Sequence, residues 1–93
     1  MSVEVRVPAM MRAHVGDQKT VTADGATVGD VLKDIERQFQ GFSGNVFESD
    51  GELRKFVNIY LNDEDIRYLG RLEAPVSAGD VLSILPAVAG GAA

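Results

Sequence analysis

The first residues of the chain alternate between valine and charged side chains. Valines at positions 3, 5 and 7 enclose Glu4 and Arg6, and a period of two is typical of a strand with one buried face. Pro8 ends this run, and residues 19–22 have the same β-like character after a polar stretch. The pattern predicts two strands that form a hairpin with a loose turn.

Residues 27–39 show helical periodicity. Thr27 is followed three residues later by Asp30, a spacing typical of a helix N-terminus. Charged residues occupy one side of the segment, and apolar residues recur every three or four positions on the other. The apolar positions are Val28, Val31, Leu32, Ile35 and Phe39. The pattern predicts one amphipathic helix that packs against a sheet.

The second half of the chain predicts three more strands. Residues 56–61 are rich in β-branched and aromatic side chains, and a polar turn at 62–65 is expected to lead into a short strand around 66–68. A last strand at 81–85 ends at Pro86, with Leu82 and Ile84 facing the core. The order β-β-α-β-β-β predicts an α+β domain with a mixed sheet packed against one main helix.

Residues 40–55 carry glycines but no clear period. Four apolar side chains in this segment indicate that parts of it fold back onto the core, namely Phe42, Val46, Phe47 and Leu53.

Composition limits the chemistry. The 93 residues suit one domain, and the absence of cysteine excludes disulfides, thiolate metal ligands and a cysteine nucleophile. A net charge of -5 disfavours nucleic acid and anionic membranes as partners. With no signal-like segment and no long apolar run, we expect a cytoplasmic protein. We also expect the protein to be monomeric when free.

The polar residues indicate no independent active site. His14 has no cysteine or second histidine beside it, so we expect a surface residue rather than a ligand or base. The acidic residues 63–65 lack the spacing of a calcium loop, and we interpret them as a solvated turn. We therefore expect no independent active site, no metal site and no bound cofactor on this chain.

The end of the chain carries the strongest motif. After Pro86 only small and apolar residues follow, including the pair Gly90 and Gly91. Residues 54–67 and 79–91 resemble the ubiquitin-like sulfur carriers of the MoaD/ThiS type, above all the actinobacterial CysO group. The resemblance implies a β-grasp domain at residues 1–86 and a flexible tail at residues 87–93.

The resemblance also implies a chemistry for the tail. In this family an E1-like adenylating enzyme of the MoeB/ThiF/MoeZ type uses ATP to activate the carboxylate of the terminal glycine, here Gly91. Sulfur then replaces the adenylate, and the thiocarboxylate delivers it to an acceptor enzyme such as a cysteine synthase. Gly90 and Gly91 suit a narrow channel because glycine has no Cβ.

In this chain Ala92 and Ala93 follow the glycine pair. We expect a deubiquitinase-like zinc peptidase to cut between Gly91 and Ala92 and expose the working carboxylate. The alternative is that the two alanines are not part of the natural chain.

A docking face is expected beside the tail. Leu85 matches an exposed apolar position that contacts the activating enzyme in related carriers, and Val88 is expected to dock with it. Phe56 and Tyr60 are expected on the same sheet face, away from the helix.

The pathway stays open at this point. Cysteine synthesis is favoured, and molybdopterin or a sulfur-containing specialised metabolite is possible. A ubiquitin-like protein modifier and an interaction module without sulfur chemistry are the alternatives.

Overall fold

The computed structural model describes residues 2–49, 51–55 and 57–86. Five strands form one sheet in the order β2-β1-β5-β3-β4. Their bounds are β1 Ser2–Arg6, β2 Thr20–Asp24, β3 Val57–Leu61, β4 Glu64–Asp65 and β5 Val81–Pro86, and α1 spans Val28–Gln38. Short 3-10 helices occupy Ala9–Val15, Ser43–Asn45, Ile66–Tyr68 and Arg71–Glu73.

The two terminal strands meet at the centre of the sheet. β1 and β5 run parallel, whereas β2 and β3 pair antiparallel on either side of them. A parallel pair requires a crossover connection, which α1 and the following segments supply. This mixed sheet with one main helix is the β-grasp arrangement, so the predicted fold class is confirmed.

The helix begins where the sequence indicated. The Oγ1 atom of Thr27 accepts a hydrogen bond from the backbone N–H of Asp30 at 3.2 Å, which satisfies one of the free donors at a helix start. Val28, Val31, Leu32 and Ile35 are fully buried. They form the core together with the inward-facing residues of the strands, including Leu82 and Ile84 as predicted.

The connection between the first two strands differs from the predicted loose turn. Residues Ala9–Val15 form a 3-10 helix that buries Met11 and Val15, and Gly16 closes it with a left-handed φ of 66°. Glycine adopts this conformation without the Cβ clash that other residues incur. Buried side chains therefore anchor the link, although the sequence shows no helical period there.

The segment after β3 corrects two predictions. Asn62 and Asp63 form a two-residue turn with φ values of 50° and 72°, which suits a tight hairpin. The strand β4 therefore lies at Glu64–Asp65, and the predicted strand at residues 66–68 is a 3-10 helix. Asp65 is only 8% exposed, and its carboxylate accepts hydrogen bonds from Arg67. The predicted solvated turn is therefore wrong at this residue.

The segment after α1 is tied down by Glu36. Its carboxylate accepts hydrogen bonds from the backbone N–H of Ser43 at 2.8 Å and of Gly41 at 3.0 Å. Between these two anchors, Phe42 is fully buried in the core. Val46 is also buried, while Phe47 and Leu53 pack partly against the core, so the prediction that this segment folds back is confirmed.

The Glu36 contacts predict a pH dependence of stability. The backbone N–H groups of Ser43 and Gly41 lower the pKa of Glu36 below its ordinary value of 4.5. Stabilisation by the ionised group is therefore complete above that value and is lost as the pH falls through the lower folded-state pKa. We expect Glu36→Gln to be less stable than the wild type at pH 7, with the difference shrinking below about pH 4.5.

Urea unfolding at several pH values measures this difference. Glu48→Gln serves as a matched control, because Glu48 is an exposed glutamate in the following loop. A Glu36→Gln deficit that is as large at pH 3 as at pH 7 would contradict the assigned role of the carboxylate.

Candidate docking face and tail exit

The strand that leads into the tail is held on both edges. β5 pairs with β1 through Glu4–Val81, Val5–Leu82 and Arg6–Ser83. On its other edge it pairs with the whole of β3, from Val57–Pro86 to Leu61–Leu82. The point at which the chain leaves the sheet is consequently fixed by two neighbouring strands.

An asparagine clamps the beginning of β5. The Oδ1 atom of Asn62 accepts the N–H of Val81 at 3.0 Å, and its Nδ2 donates to Asp80 Oδ1 at 3.0 Å. The backbone N–H of Asn62 also donates to the carbonyl of Val81 at 2.9 Å. The turn between β3 and β4 therefore sets the register of the strand that carries the tail.

The sheet face opposite the helix presents Leu85. Its neighbours Leu82 and Ile84 point into the core, whereas the Leu85 side chain is 46% exposed. Asn58 lies directly opposite Leu85, and Tyr60 lies opposite Ser83 one step further along. Tyr60 is half-buried, so the predicted placement of Leu85 and Tyr60 on one accessible face is confirmed, while their role in docking stays a prediction.

Charged pairs border this face on both sides. On β1, Arg6 Nε lies 3.3 Å from Glu4 Oε2, and both side chains are partly or fully exposed. At the β4 edge, Arg67 Nη2 donates to Asp65 Oδ2 at 2.7 Å. Hydrogen bonds from the Arg67 side chain and backbone lower the pKa of Asp65, and the carboxylate in turn raises the pKa of Arg67.

The structure exposes one methionine in the connection between β1 and β2. Met10 is 70% exposed. Because β1 is parallel to β5 and Arg6 pairs with Ser83, the chain after β1 continues toward the end of the sheet where β5 finishes. No sequence signal separates Met10 from its buried neighbour Met11, since the 3-10 turn alone decides which one faces the core.

Several predicted site residues lie outside the described part of the chain. They are Phe56, Val88, Gly90, Gly91 and Ala92. Their roles in docking, sulfur transfer and cleavage stay predictions.

The described residues contain no cluster of potential metal ligands. They contain no group of three His, Asp or Glu side chains that could hold a metal ion, and His14 is exposed, as predicted. Within residues 2–49, 51–55 and 57–86, no helix combines the length and the hydropathy that crossing a bilayer requires.

A small β-grasp domain with a fixed exit strand and an accessible apolar position beside it is typical of the ubiquitin-like carriers. The ThiS family model matches residues 5–91, and the chain belongs to the ThiS family.

Similar proteins narrow the comparison. The sulfur carrier protein CysO of Mycobacterium tuberculosis is 47% identical over 93 residues, which cover 98% of this chain and 100% of the relative. Its crystal structure has a TM-score of 0.88 and covers 92% of this chain and 99% of that one. A chain in the crystal structure of the BexX/CysO complex of Amycolatopsis orientalis is 44% identical with a TM-score of 0.87, and the match covers 92% of this chain and 96% of that one.

A relative of another kind is also close. The small archaeal modifier protein 3 of Haloferax volcanii is 38% identical, with 98% of this chain and 100% of the relative covered. The relatives named as sulfur carriers confirm the predicted class, a sulfur carrier rather than a catalyst. The similarity to the archaeal modifier supports a ubiquitin-like protein modifier as the alternative.

Proposed function

We propose that this chain carries sulfur as a thiocarboxylate on Gly91. The carboxyl group is freed by cleavage of the Gly91–Ala92 bond, is adenylated, and then exchanges the adenylate for sulfur. The chain itself acts as a stoichiometric carrier that is recharged after each delivery. Among the observations, the position of β5 carries this proposal furthest.

β5 supports the proposal because it presents the tail from the centre of the sheet. The strand ends at Pro86, and Gly91 lies five positions further along the chain. An extended chain spans at most about 3.3–3.6 Å per residue, or roughly 17 Å here. That reach lets the carboxyl enter a buried active site while the folded domain stays at its mouth.

The absence of cysteine supports the same assignment. The chain has no thiol of its own, so persulfide chemistry on a side chain is excluded. A carboxyl activated by acyl transfer is the group that remains for holding sulfur covalently. The proposed enzyme partner is an E1-like adenylating enzyme that supplies the ATP site, and no cofactor resides on the carrier.

The acceptor follows from the similar proteins. Cysteine biosynthesis is the proposed pathway, because proteins named CysO are similar to this chain over nearly its whole length. The acceptor is then a cysteine synthase that receives the thiocarboxylate, and a deubiquitinase-like zinc peptidase trims the tail. The BexX/CysO complex supports a second route, in which one carrier is used by a further acceptor enzyme.

Mass spectrometry tests the proposal directly. The chain ending at Gly91 is incubated with an E1-like enzyme from the same cell, ATP and sulfide. We expect a gain of about 16 Da, because sulfur replaces one oxygen of the carboxyl group. The chain that retains Ala92 and Ala93 is the matched control, and it is expected to gain nothing until the peptidase is added.

The same experiment distinguishes the sulfur carrier from a ubiquitin-like protein modifier. The similarity to the small archaeal modifier protein 3 makes conjugation to lysine the second candidate function. Covalent adducts on lysine side chains without any thiocarboxylate would favour that function. A control chain that gains 16 Da without trimming would overturn the role of the Gly91–Ala92 cleavage.

A further inference from the structure

A cleft of about 450 Å³ opens at the β3 edge of the sheet. β4 is only two residues long and pairs with Tyr60 and Leu61 alone. The beginning of β3 therefore has no strand beside it on that side among the described residues. Val57 and Ile59 line the cleft there.

Four cationic side chains surround this opening, which we call the basic cleft. They are Arg54 and Lys55 on one wall, and Arg67 and Arg71 on the other. Three carboxylates also line the cleft. The cleft lining thus contains four of the nine basic residues of the chain but only three of its fourteen acidic residues. The remaining five basic and eleven acidic residues make the rest of the molecule strongly negative.

Two of the guanidinium groups are held in place by the fold. Arg54 Nε donates to the carbonyl of Gly44 at 2.9 Å. Arg67 contacts the carboxylate of Asp65 through both Nε and Nη2. A guanidinium group that is already oriented loses less entropy when it binds a carboxylate. The wall that carries Arg54 is therefore prepared for an anionic ligand, while the Arg67 charge on the other wall is shared with Asp65.

The residue that carries the third guanidinium group, Arg71, adopts an unfavourable backbone conformation. Arg71 has a φ of 58°, the left-handed conformation that residues with a Cβ adopt rarely. Gly70 precedes it, so the turn already has a glycine. Such conformations concentrate at binding and catalytic sites, and here the unfavourable residue carries a side chain that lines the cleft.

The floor of the cleft is apolar. Ile66 is 1% exposed, and Val57 is 8% exposed, while Leu53 and Leu72 pack partly against the core. An apolar floor between guanidinium groups matches an extended peptide with one apolar side chain flanked by carboxylates. Inorganic anions alone would leave the floor unused.

The cleft lies next to the tail exit. Pro86, the last residue of β5, pairs with Val57, and Val57 lines the cleft. Adjacent strands are about 4.8 Å apart. The tail exit is therefore about one strand spacing away from a residue that lines the cleft.

We propose that the basic cleft binds an acidic segment with an apolar anchor, contributed by the E1-like enzyme that adenylates the Gly91 tail. The assignment of that partner rests on the proposed carrier function. The segment fixes the domain on the enzyme, whereas the tail performs the chemistry. The cleft is thus expected to affect docking and not the reaction step.

A peptide titration tests the cleft without any carrier chemistry. The probe is the blocked peptide Glu-Asp-Leu-Phe-Asp-Glu, added to the full ¹⁵N-labelled chain. We expect amide shifts at Arg54, Lys55, Arg67 and Arg71 with half-saturation in the low millimolar range, about 1–5 mM. The neutral peptide Gln-Asn-Leu-Phe-Asn-Gln is the matched control and is expected to leave these amides unchanged.

Two results of the titration would overturn the proposal. One is the absence of shifts at the four residues with the acidic peptide. The other is an equal response to inorganic phosphate, which would identify a simple anion site. Both results are independent of whether Gly91 is ever charged with sulfur.

Charging kinetics with an E1-like enzyme test the choice of partner. Arg71→Glu is expected to raise KM about tenfold with kcat nearly unchanged, while Arg37→Glu on the exposed side of α1 serves as the charge-matched control. Arg71→Gly relieves the backbone conformation, so we expect a Tm at or above that of the wild type together with a raised KM.

Equal KM values for Arg71→Glu and Arg37→Glu would exclude the activating enzyme as the source of the segment and overturn the proposed partner. If no variant is charged at all, the carrier function fails instead, and the peptide titration still decides whether the basic cleft binds acidic segments.

Discussion

Replacing Phe42 by alanine is expected to lower the free energy of unfolding by about 3–5 kcal/mol. Phe42 is fully buried and is the largest of the fully buried side chains among residues 2–49, 51–55 and 57–86. Its removal leaves a cavity that the surrounding core fills only in part. A domain of 93 residues has a total stability of about 5–14 kcal/mol, so this one change removes a large share.

Denaturant unfolding with a constant m-value measures the loss. Phe47→Ala is the matched control, because Phe47 lies in the same segment but is only half-buried. We expect the control to lose clearly less stability. A loss below about 1 kcal/mol for Phe42→Ala would show that the segment contributes little to the core. Equal losses for the two variants would show that the deeper burial of Phe42 does not set the cost.

The importance of Phe42 could be predicted only in part. Its apolar character indicated that the segment folds back, but no period revealed how deeply it is buried. The depth follows from Glu36, whose carboxylate holds the backbone on both sides of Phe42. Such contacts between a side chain and a backbone N–H leave no pattern in the sequence.

Elements with many repeats of their period were predicted well. The apolar residues of α1 span three turns, and the strands β1, β3 and β5 each alternate over five or six residues. Elements of two or three residues cannot display a period. This is why the prediction placed a turn where the strand Glu64–Asp65 lies and a strand where the 3-10 helix Ile66–Tyr68 lies.

The candidate site likewise has one part that could be predicted from the sequence and one part that could not. Leu85 could be predicted as exposed, because it alternates with Ile84 on a strand whose buried face was clear. The basic cleft could not, since Arg54 and Arg71 are seventeen positions apart. The short β4 brings their segments together around one opening, and that result depends on the tertiary fold.

Replacing Leu85 by glutamate is expected to lower kcat/KM for tail charging by at least about 30-fold. The side chain is 46% exposed and lies near the end of the strand that leads to the tail. If it is a central apolar contact with the activating enzyme, it contributes about 2 kcal/mol or more to the complex. A carboxylate at this position would have to be buried without a partner.

Ala78→Glu is the matched control, because it introduces the same charge at an exposed position before the opposite end of β5. We expect it to be charged at nearly the wild-type rate. Thermal unfolding of both variants separates docking from stability, and Leu85→Glu should remain folded because its side chain is already half in solvent. If both variants are charged equally well, Leu85 does not contact the activating enzyme. The domain would then be positioned through other surfaces, such as the basic cleft, whose lining residue Val57 pairs with Pro86.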